Sequence, residues 1–169
     1  MNDGLARERT VRILIMIFML ALVASGLSAI PLQWEVGLLN KWFGATSFMQ
    51  RILPSMAGWI SRVHAGVQNG YGQYPFLAYG TDWLAFGHVA IALAFIGVLR
   101  DPLRNIWVVE FGIIACILVI PWALAFGWLR GIPPFWTAVD MSFGIFGMMP
   151  LWWARRLILQ AANARSLQR

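Results

Sequence analysis

Four long apolar runs are the feature that most constrains how this chain can fold. They cover residues 13–30, 83–99, 106–129 and 137–153. Each is close to the ~20 apolar residues that an α-helix needs to cross the hydrocarbon core of a bilayer. Helices satisfy all their backbone hydrogen bonds within the segment, which lipid requires of a spanning structure. The sequence therefore predicts an all-α fold, a four-helix transmembrane bundle.

The composition is typical of a membrane protein. Of the 169 residues, 60% are hydrophobic and only 12% are charged, and the mean hydropathy is +0.68. Soluble domains average about 45–50% apolar and about 25% charged residues. We expect a single integral membrane domain, residues 1–169, with the lipid bilayer as its surroundings. Its first run is longer than the ~7–15 apolar residues of a signal peptide, so we expect an uncleaved anchor.

Two observations exclude other classes of protein. The net charge of +6 does not indicate nucleic-acid binding, because the basic residues stand at the ends of the apolar runs and form no single patch. The only cysteine, Cys116, cannot form an intramolecular disulfide or a CxxC site. This excludes a disulfide-generating oxidoreductase, and we interpret Cys116 as a small buried hydrophobe.

The distribution of basic residues predicts the orientation in the membrane. With four spans, the amino terminus, the 100–105 turn and the carboxyl tail share one side. That side carries nine Lys and Arg residues, and the other side carries four. Because Lys and Arg concentrate on the cytoplasmic side, both termini are predicted to be cytoplasmic. Tryptophans stand near both ends of the runs, as in the aromatic belts of membrane proteins.

A loop of about fifty residues, 31–82, joins the first two spans on the outer side. Within it, residues 34–43 and 48–67 show the apolar periodicity of amphipathic helices, and Arg51 and Arg62 fall on the polar face of the second. We predict that this second helix caps the outer end of the bundle, and a place in the membrane interface is the alternative. The cap would lay five apolar side chains against the spans: Ile52, Met56, Trp59, Ile60 and Val63.

Small residues indicate where the spans can approach one another closely. Gly144 and Gly147, with Ser142, form a small-residue strip of the kind that membrane helices use for packing. Gly87 is predicted to serve the second span in the same way. Pro121 lies well inside the third span and is expected to bend it, because it removes a backbone donor.

Three ionisable side chains lie in predicted spans, where charge is costly and often functional. Glu110 is interpreted as a residue of the first turn of its helix that pairs with Arg104 or Arg100. Asp140 is interpreted as the start of the fourth span, stabilised by the helix dipole and the free amides. His88 lies about 9 Å inside the second span, and we interpret it as a buried histidine bonded to a neighbouring helix.

A sharper hypothesis brings the polar residues of the outer side together in an outward-facing pocket. The pocket would contain both histidines of the chain, three charged residues and the loop tyrosines, with Glu110 as a further candidate: His64, His88, Asp82, Arg130, Asp140, Tyr71, Tyr74 and Tyr79. Two histidines from different helices could ligate a b-type haem axially. With a carboxylate they could instead ligate a metal ion.

No motif in the sequence identifies an enzyme, because the serines lack a GxSxG context and no glycine-rich phosphate loop is present. The leading hypothesis is a non-enzymatic binding or accessory component of the membrane, as a homo-oligomer or with other membrane subunits. One alternative is a haem- or metal-binding oxidoreductase that uses His64 and His88. Another is a proton-coupled transporter that uses His88, Asp140 and Glu110.

Three segments carry a resemblance to known sequences: YPFLAYGTDW at 74–83, DPLRNIW at 101–107 and PFW at 134–136. In these segments the chain resembles uncharacterised small four-span inner-membrane proteins of bacteria. The resemblance covers about half of the chain. It implies a multi-pass protein of the bacterial plasma membrane, and it implies no particular chemistry.

Overall fold

The computed structural model describes residues 2–166, and the side chains of residues 6–164. All regular secondary structure in this part of the chain is helical, which confirms the predicted all-α class. The helices are α1 (Asn2–Ser28), α2 (Leu32–Phe43), α3 (Met49–Ile52), α4 (Pro54–Gln73), a 3-10 turn (Pro75–Leu77), α5 (Ala78–Ala94), α6 (Ile96–Arg100), α7 (Ile106–Leu129) and α8 (Pro134–Ser166).

Three of the described helical segments are long and apolar enough to cross a membrane: Ala6–Ser28, Pro75–Arg100 and Ile106–Leu129. The third has the ends predicted from the sequence, whereas the first two begin several residues earlier than predicted. The first extends because the charged residues before the apolar run continue the helix, with an ion pair of 2.7 Å between Arg12 and Glu8 one turn apart. The predicted span 137–153 lies inside α8, which is less apolar than these three.

The chain forms two compact units. Unit 1 comprises residues 2–21 and 91–166, and its core surrounds Phe95, which is fully buried. The ring centroids of Phe95 and Phe18 are 4.9 Å apart. A Cβ on Gly112 would lie 2.8 Å from Phe95 Cζ and 2.7 Å from Leu151 Cδ1. Other fully buried side chains come from α1, α6 and α7: Ile15, Val98 and Val109.

Within unit 1, α7 and α8 form an antiparallel pair. Gly127 lies beside Thr137 near one end, and Glu110 contacts Arg155 at the other. In the middle, a Cβ on Gly144 would collide with the backbone carbonyl of Cys116. Gly147 packs beside the sulfur of the same residue, at 3.1 Å from its own hypothetical Cβ. The predicted close approach at these two glycines is confirmed.

The sequence between these two helices determines how the chain turns. Gly131 has a φ of 66°, a left-handed conformation that glycine adopts without steric cost. Its amide donates to the Trp128 carbonyl, and the Ile132 amide donates to the Gly127 carbonyl. These two bonds are the Schellman arrangement that ends a helix. Pro134 then starts α8, where its missing N–H and fixed φ cost nothing.

The pairing of α2 with α4 organises unit 2, residues 22–90. These helices are also antiparallel, but polar side chains connect them. The Gln68 amide donates to the Gln33 carbonyl at 3.2 Å. The Ser61 hydroxyl donates to Asn40 Oδ1 at 2.6 Å and accepts from the Ala45 amide at 2.8 Å. Buried apolar residues support the same pair: Val36, Ala57 and Ile60.

The amphipathic helix predicted over 48–67 is divided in two. Pro54 starts α4, since a proline fits the first turn but breaks the interior of a helix. Ile52 belongs to α3 and is 54% exposed, so its predicted burial is wrong. Arg51 and Arg62 are exposed, as predicted. Docking of α4 on the outer ends of the spans stays a prediction.

Candidate functional site

Unit 1 contains a groove of about 570 Å³. It lies along the carboxyl-terminal half of α7 and the start of α8. Its walls are mostly apolar, and they include Ala115, Leu118, Val119, Trp122, Phe126 and Ile132. Two charged residues, Arg130 and Asp140, also line it. The volume is in the range of small-molecule sites, about 300–1,000 Å³.

The helix ends explain where the two charges stand. Arg130 is the C-cap of α7, so its side chain leaves the last turn of that helix. A cation at this position is favoured by the helix dipole. Asp140 was predicted to begin its helix, but α8 begins at Pro134. Asp140 therefore lies beyond the free amides of the first turn, and its predicted stabilisation by those amides is wrong.

Glu110 has a different partner from the one predicted. It accepts a hydrogen bond at 2.9 Å from Arg155 Nε, and Arg155 Nη2 lies 2.9 Å from the same oxygen. The sequence had suggested Arg100 or Arg104, which are nearer in the chain. The antiparallel register of α7 and α8 brings Arg155 beside Glu110 across 45 residues. This ion pair therefore joins two helices.

His88 was predicted to be buried and bonded to a neighbouring helix, but it is half-buried and its hydrogen bond lies within its own helix. Its Nδ1 is 2.8 Å from the carbonyl oxygen of Leu84, one turn earlier in α5. A Cβ on Gly26 of α1 would collide with His88 Cβ and would lie 3.2 Å from the Ala85 carbonyl oxygen. Gly26 thus provides the close approach that the sequence had assigned to Gly87. A Cβ on Gly87 would meet open space, so that prediction is wrong.

His64 is half-buried in the α2–α4 pair. Its Nε2 lies 4.0 Å from the position that a Cβ on Gly37 of α2 would occupy. The two histidines therefore pack against different helices, His64 against α2 and His88 against α1. Asp82 is exposed on α5.

Two residues predicted for the outer pocket, Arg130 and Asp140, line the same groove of unit 1. The place of His64, His88 and Asp82 in that pocket stays a prediction. No group of three or more His, Cys, Asp or Glu side chains that could hold a metal ion occurs among the described residues. Axial ligation of a haem by His64 and His88 stays a prediction. Glu110 and Asp140 do not share a site. Arg155, the partner of Glu110, is fifteen residues from Asp140 in the same helix, about 22 Å at 1.5 Å per residue.

Sequence reasoning missed the groove and two closely packed glycines of α7, of which Gly127 lines the groove. Gly127 lies beside Thr137, where a Cβ would be 2.7 Å from the Thr137 hydroxyl oxygen. Gly112 lies beside Phe95. Both are small residues in the third apolar run. Small residues were interpreted as packing positions only in the second and fourth runs. The groove itself had no sequence signal, because it depends on how the start of α8 packs on α7.

No known protein family, curated protein or solved structure matches this chain. The three apolar helices are compatible with an integral membrane protein.

Proposed function

We propose that this chain is a four-span protein of the bacterial plasma membrane, with both termini in the cytoplasm and residues 31–82 outside. Within that membrane it acts as a non-enzymatic binding or accessory component. The observation that carries the proposal is the antiparallel register of α7 and α8.

The register of α7 and α8 supports a fourth span. Helix α7 is apolar enough to cross a membrane. Helix α8 contacts it at Gly127, at Cys116 and finally at Glu110, which is nearly the full length of α7. A helix that follows a spanning helix over this distance must occupy the same layer of the bilayer. Residues 137–153 of α8 therefore cross with α7, although their composition is less apolar.

Charge supports the orientation. Four spans place nine basic residues on the side of the termini and four on the other side, as cytoplasmic enrichment of Lys and Arg requires. Trp107 and Trp153 fall near the inner ends of the spans, and Trp128 and Trp136 fall near the outer ends. All four tryptophans belong to α7 or α8. Each end of this helix pair therefore carries two of them, as in an aromatic belt.

The polar residues in the spans support a role in binding rather than in catalysis. Glu110 forms an interhelical ion pair with Arg155, and His88 bonds to its own helix while packing on α1. These contacts stabilise helix packing. The remaining pair, Arg130 and Asp140, lines a groove whose walls are otherwise apolar. An apolar groove with two charges suits the binding of a ligand.

Reporter fusions test the topology. We expect fusions after Arg104 and after Gln160 to report a cytoplasmic position, and a fusion after Gly70 to report an external one. An external position after Gln160 would mean that α8 does not cross, and it would overturn the four-span proposal. The fusion after Arg104 is the matched control, because it reports on the chain before the α7–α8 pair.

A further inference from the structure

Asp140 lies deeper along the helix pair than Arg130, although both residues line the groove. Thr137, one turn before Asp140 in α8, lies beside Gly127 of α7. The antiparallel register therefore sets Asp140 level with about Ala123, one turn before Gly127. From Ala123 to Arg130 the chain rises about 10 Å at 1.5 Å per residue. The two charges are thus separate features of the groove, one above the other.

In the proposed four-span arrangement, the level of Asp140 lies within the hydrocarbon layer. Helix α7 has 24 residues, which is about 36 Å at 1.5 Å per residue. The hydrocarbon core is about 30 Å thick. Ala123 lies about 9 Å from the outer end of α7 at Leu129. Asp140 therefore stands inside the outer edge of the hydrocarbon, whereas Arg130, the C-cap of α7, stands at that edge.

The charge of Asp140 has no partner within the described part of the chain. Glu110 is paired with Arg155, and His88 bonds to the Leu84 carbonyl. Among the residues that the structure describes, none donates a hydrogen bond to Asp140 or forms an ion pair with it. A carboxylate in a layer of low dielectric is costly unless a cation or a hydrogen-bond donor accompanies it. The groove thus presents one anionic group that lacks a counter-charge.

Two aromatic rings of the groove lie close to the level of Asp140. Trp122 directly precedes Ala123 and Phe126 follows it by one turn, and their ring centroids are 4.7 Å apart. Both side chains line the groove. The face of an aromatic ring, that of Trp above all, attracts a cation within about 6 Å of its centroid. An anion beside aromatic rings in an apolar groove is therefore complementary to a cation that carries apolar substituents.

A metal ion does not fit this site. Hard cations such as Ca²⁺ require about six to eight oxygen ligands. No group of three or more His, Cys, Asp or Glu side chains that could supply such ligands occurs in the described part of the chain. An organic cation whose charge is surrounded by apolar groups needs no such ligand shell, because its substituents are buried by the walls of the groove.

We propose that this groove binds one lipophilic organic cation, a quaternary phosphonium or ammonium ion, with its charge at Asp140 and its apolar substituents along Trp122 and Phe126. The site rests on the proposed four-span arrangement, which places Asp140 in the hydrocarbon layer. It deepens the proposed function by naming the class of ligand that the binding component takes.

Equilibrium dialysis of radiolabelled tetraphenylphosphonium with the purified full-length chain in detergent tests the site. Triphenylphosphine oxide is the matched neutral compound, because it has the same phenyl groups without the charge. We expect saturable binding of one probe per chain. The neutral compound should compete about tenfold more weakly than unlabelled tetraphenylphosphonium, a ratio equivalent to about 1.4 kcal/mol. Absence of saturable binding, or equal competition by the neutral compound, would overturn the inference.

Variants of the charged residues assign the charge contact. Asp140→Asn should weaken binding about tenfold, whereas Asp140→Glu keeps the carboxylate and should stay within about threefold. Arg130→Gln should not weaken binding, because a guanidinium does not attract a cation. The control Asp82→Asn removes an exposed carboxylate outside the groove and should leave the affinity unchanged. Unchanged affinity in Asp140→Asn would contradict the assignment, and if that variant fails to accumulate, the competition by the neutral compound on the unchanged chain decides.

Trp122→Leu tests the aromatic wall, because it keeps an apolar side chain and removes the ring. We expect the affinity for tetraphenylphosphonium to fall about fivefold, in the range of a single cation–π contact. The control is Trp107→Leu, which removes an exposed ring of the same helix outside the groove. Equal losses in the two variants would contradict the contact at Trp122.

The topology fusions separate the two proposals. A cytoplasmic report after Gln160 together with equal competition by the neutral compound would overturn the cation site and leave the four-span proposal standing. An external report after Gln160 would overturn both.

Discussion

Two antiparallel helix pairs of this protein are held together in opposite ways. In unit 1, α7 and α8 meet at glycines, and a Cβ on Gly144 would collide with a backbone carbonyl. In unit 2, α2 and α4 are connected by side-chain hydrogen bonds, among them the bond from Ser61 to Asn40. Lipid removes the hydrophobic driving force between apolar helices, so close packing at small residues must hold them. The α2–α4 pair lies in the loop that is predicted to be external, where polar contacts and apolar burial can both contribute.

The largest expected effect is at the α7–α8 contact. In Gly144→Ala the new Cβ meets the Cys116 carbonyl, a backbone group that cannot rotate away, and lies 3.1 Å from Val119 Cβ. Overpacking of this kind costs about 1–3 kcal/mol, and we expect the upper end. The measurement is the free energy of unfolding in mixed micelles, followed by circular dichroism. The control is Gly87→Ala, where the new Cβ has free space. A similar loss in that variant would show that the collision with Cys116 is not the cause.

A somewhat smaller effect is expected at Gly26. This residue tests whether close packing at a glycine also holds α1 against α5 in unit 2. Gly26→Ala should lower the free energy of unfolding by about 2 kcal/mol, because its Cβ collides with His88 Cβ. Adding His88→Gly should recover part of this loss, whereas adding His88→Ala, which keeps the Cβ, should not. Equal results for the two double variants would show that His88 is not the group in contact.

The smallest expected effect is in the polar pair. Ser61→Ala leaves Asn40 and the Ala45 amide without their hydroxyl partner, and we expect a loss of about 1 kcal/mol. Amide hydrogen exchange at Ala45 should become faster, while exchange in α7 should not change. Ser55→Ala, an exposed serine of the same helix, is the control. A loss as large as that of Gly144→Ala would mean that the polar contacts hold the α2–α4 pair as strongly as close packing holds the α7–α8 pair.

Several elements of the fold were predictable because they depend on local sequence. The apolar run 106–129 gave both ends of α7, and the small residues Gly144 and Gly147 indicated a packing face. The prediction was wrong where a pattern was extended across a break, as for Ile52, or where a small residue was assumed to face a neighbour, as for Gly87.

The candidate site was less predictable. The sequence identified Asp140 as a polar residue at a costly position and placed it with Arg130 in one pocket, and both line the groove of unit 1. The cost of burying a charge identifies each such residue individually. Which of them meet depends on which faces of two helices are in contact, and no single run of sequence contains that information.

The sequence by itself determined the helical class and the apolar runs, because a segment that crosses lipid must satisfy its backbone hydrogen bonds within itself. Only the tertiary structure decided that Glu110 pairs with Arg155 and not with Arg100 or Arg104. It also decided that a groove forms beside α7. Both depend on the register between two helices, which is fixed where glycines let their backbones touch.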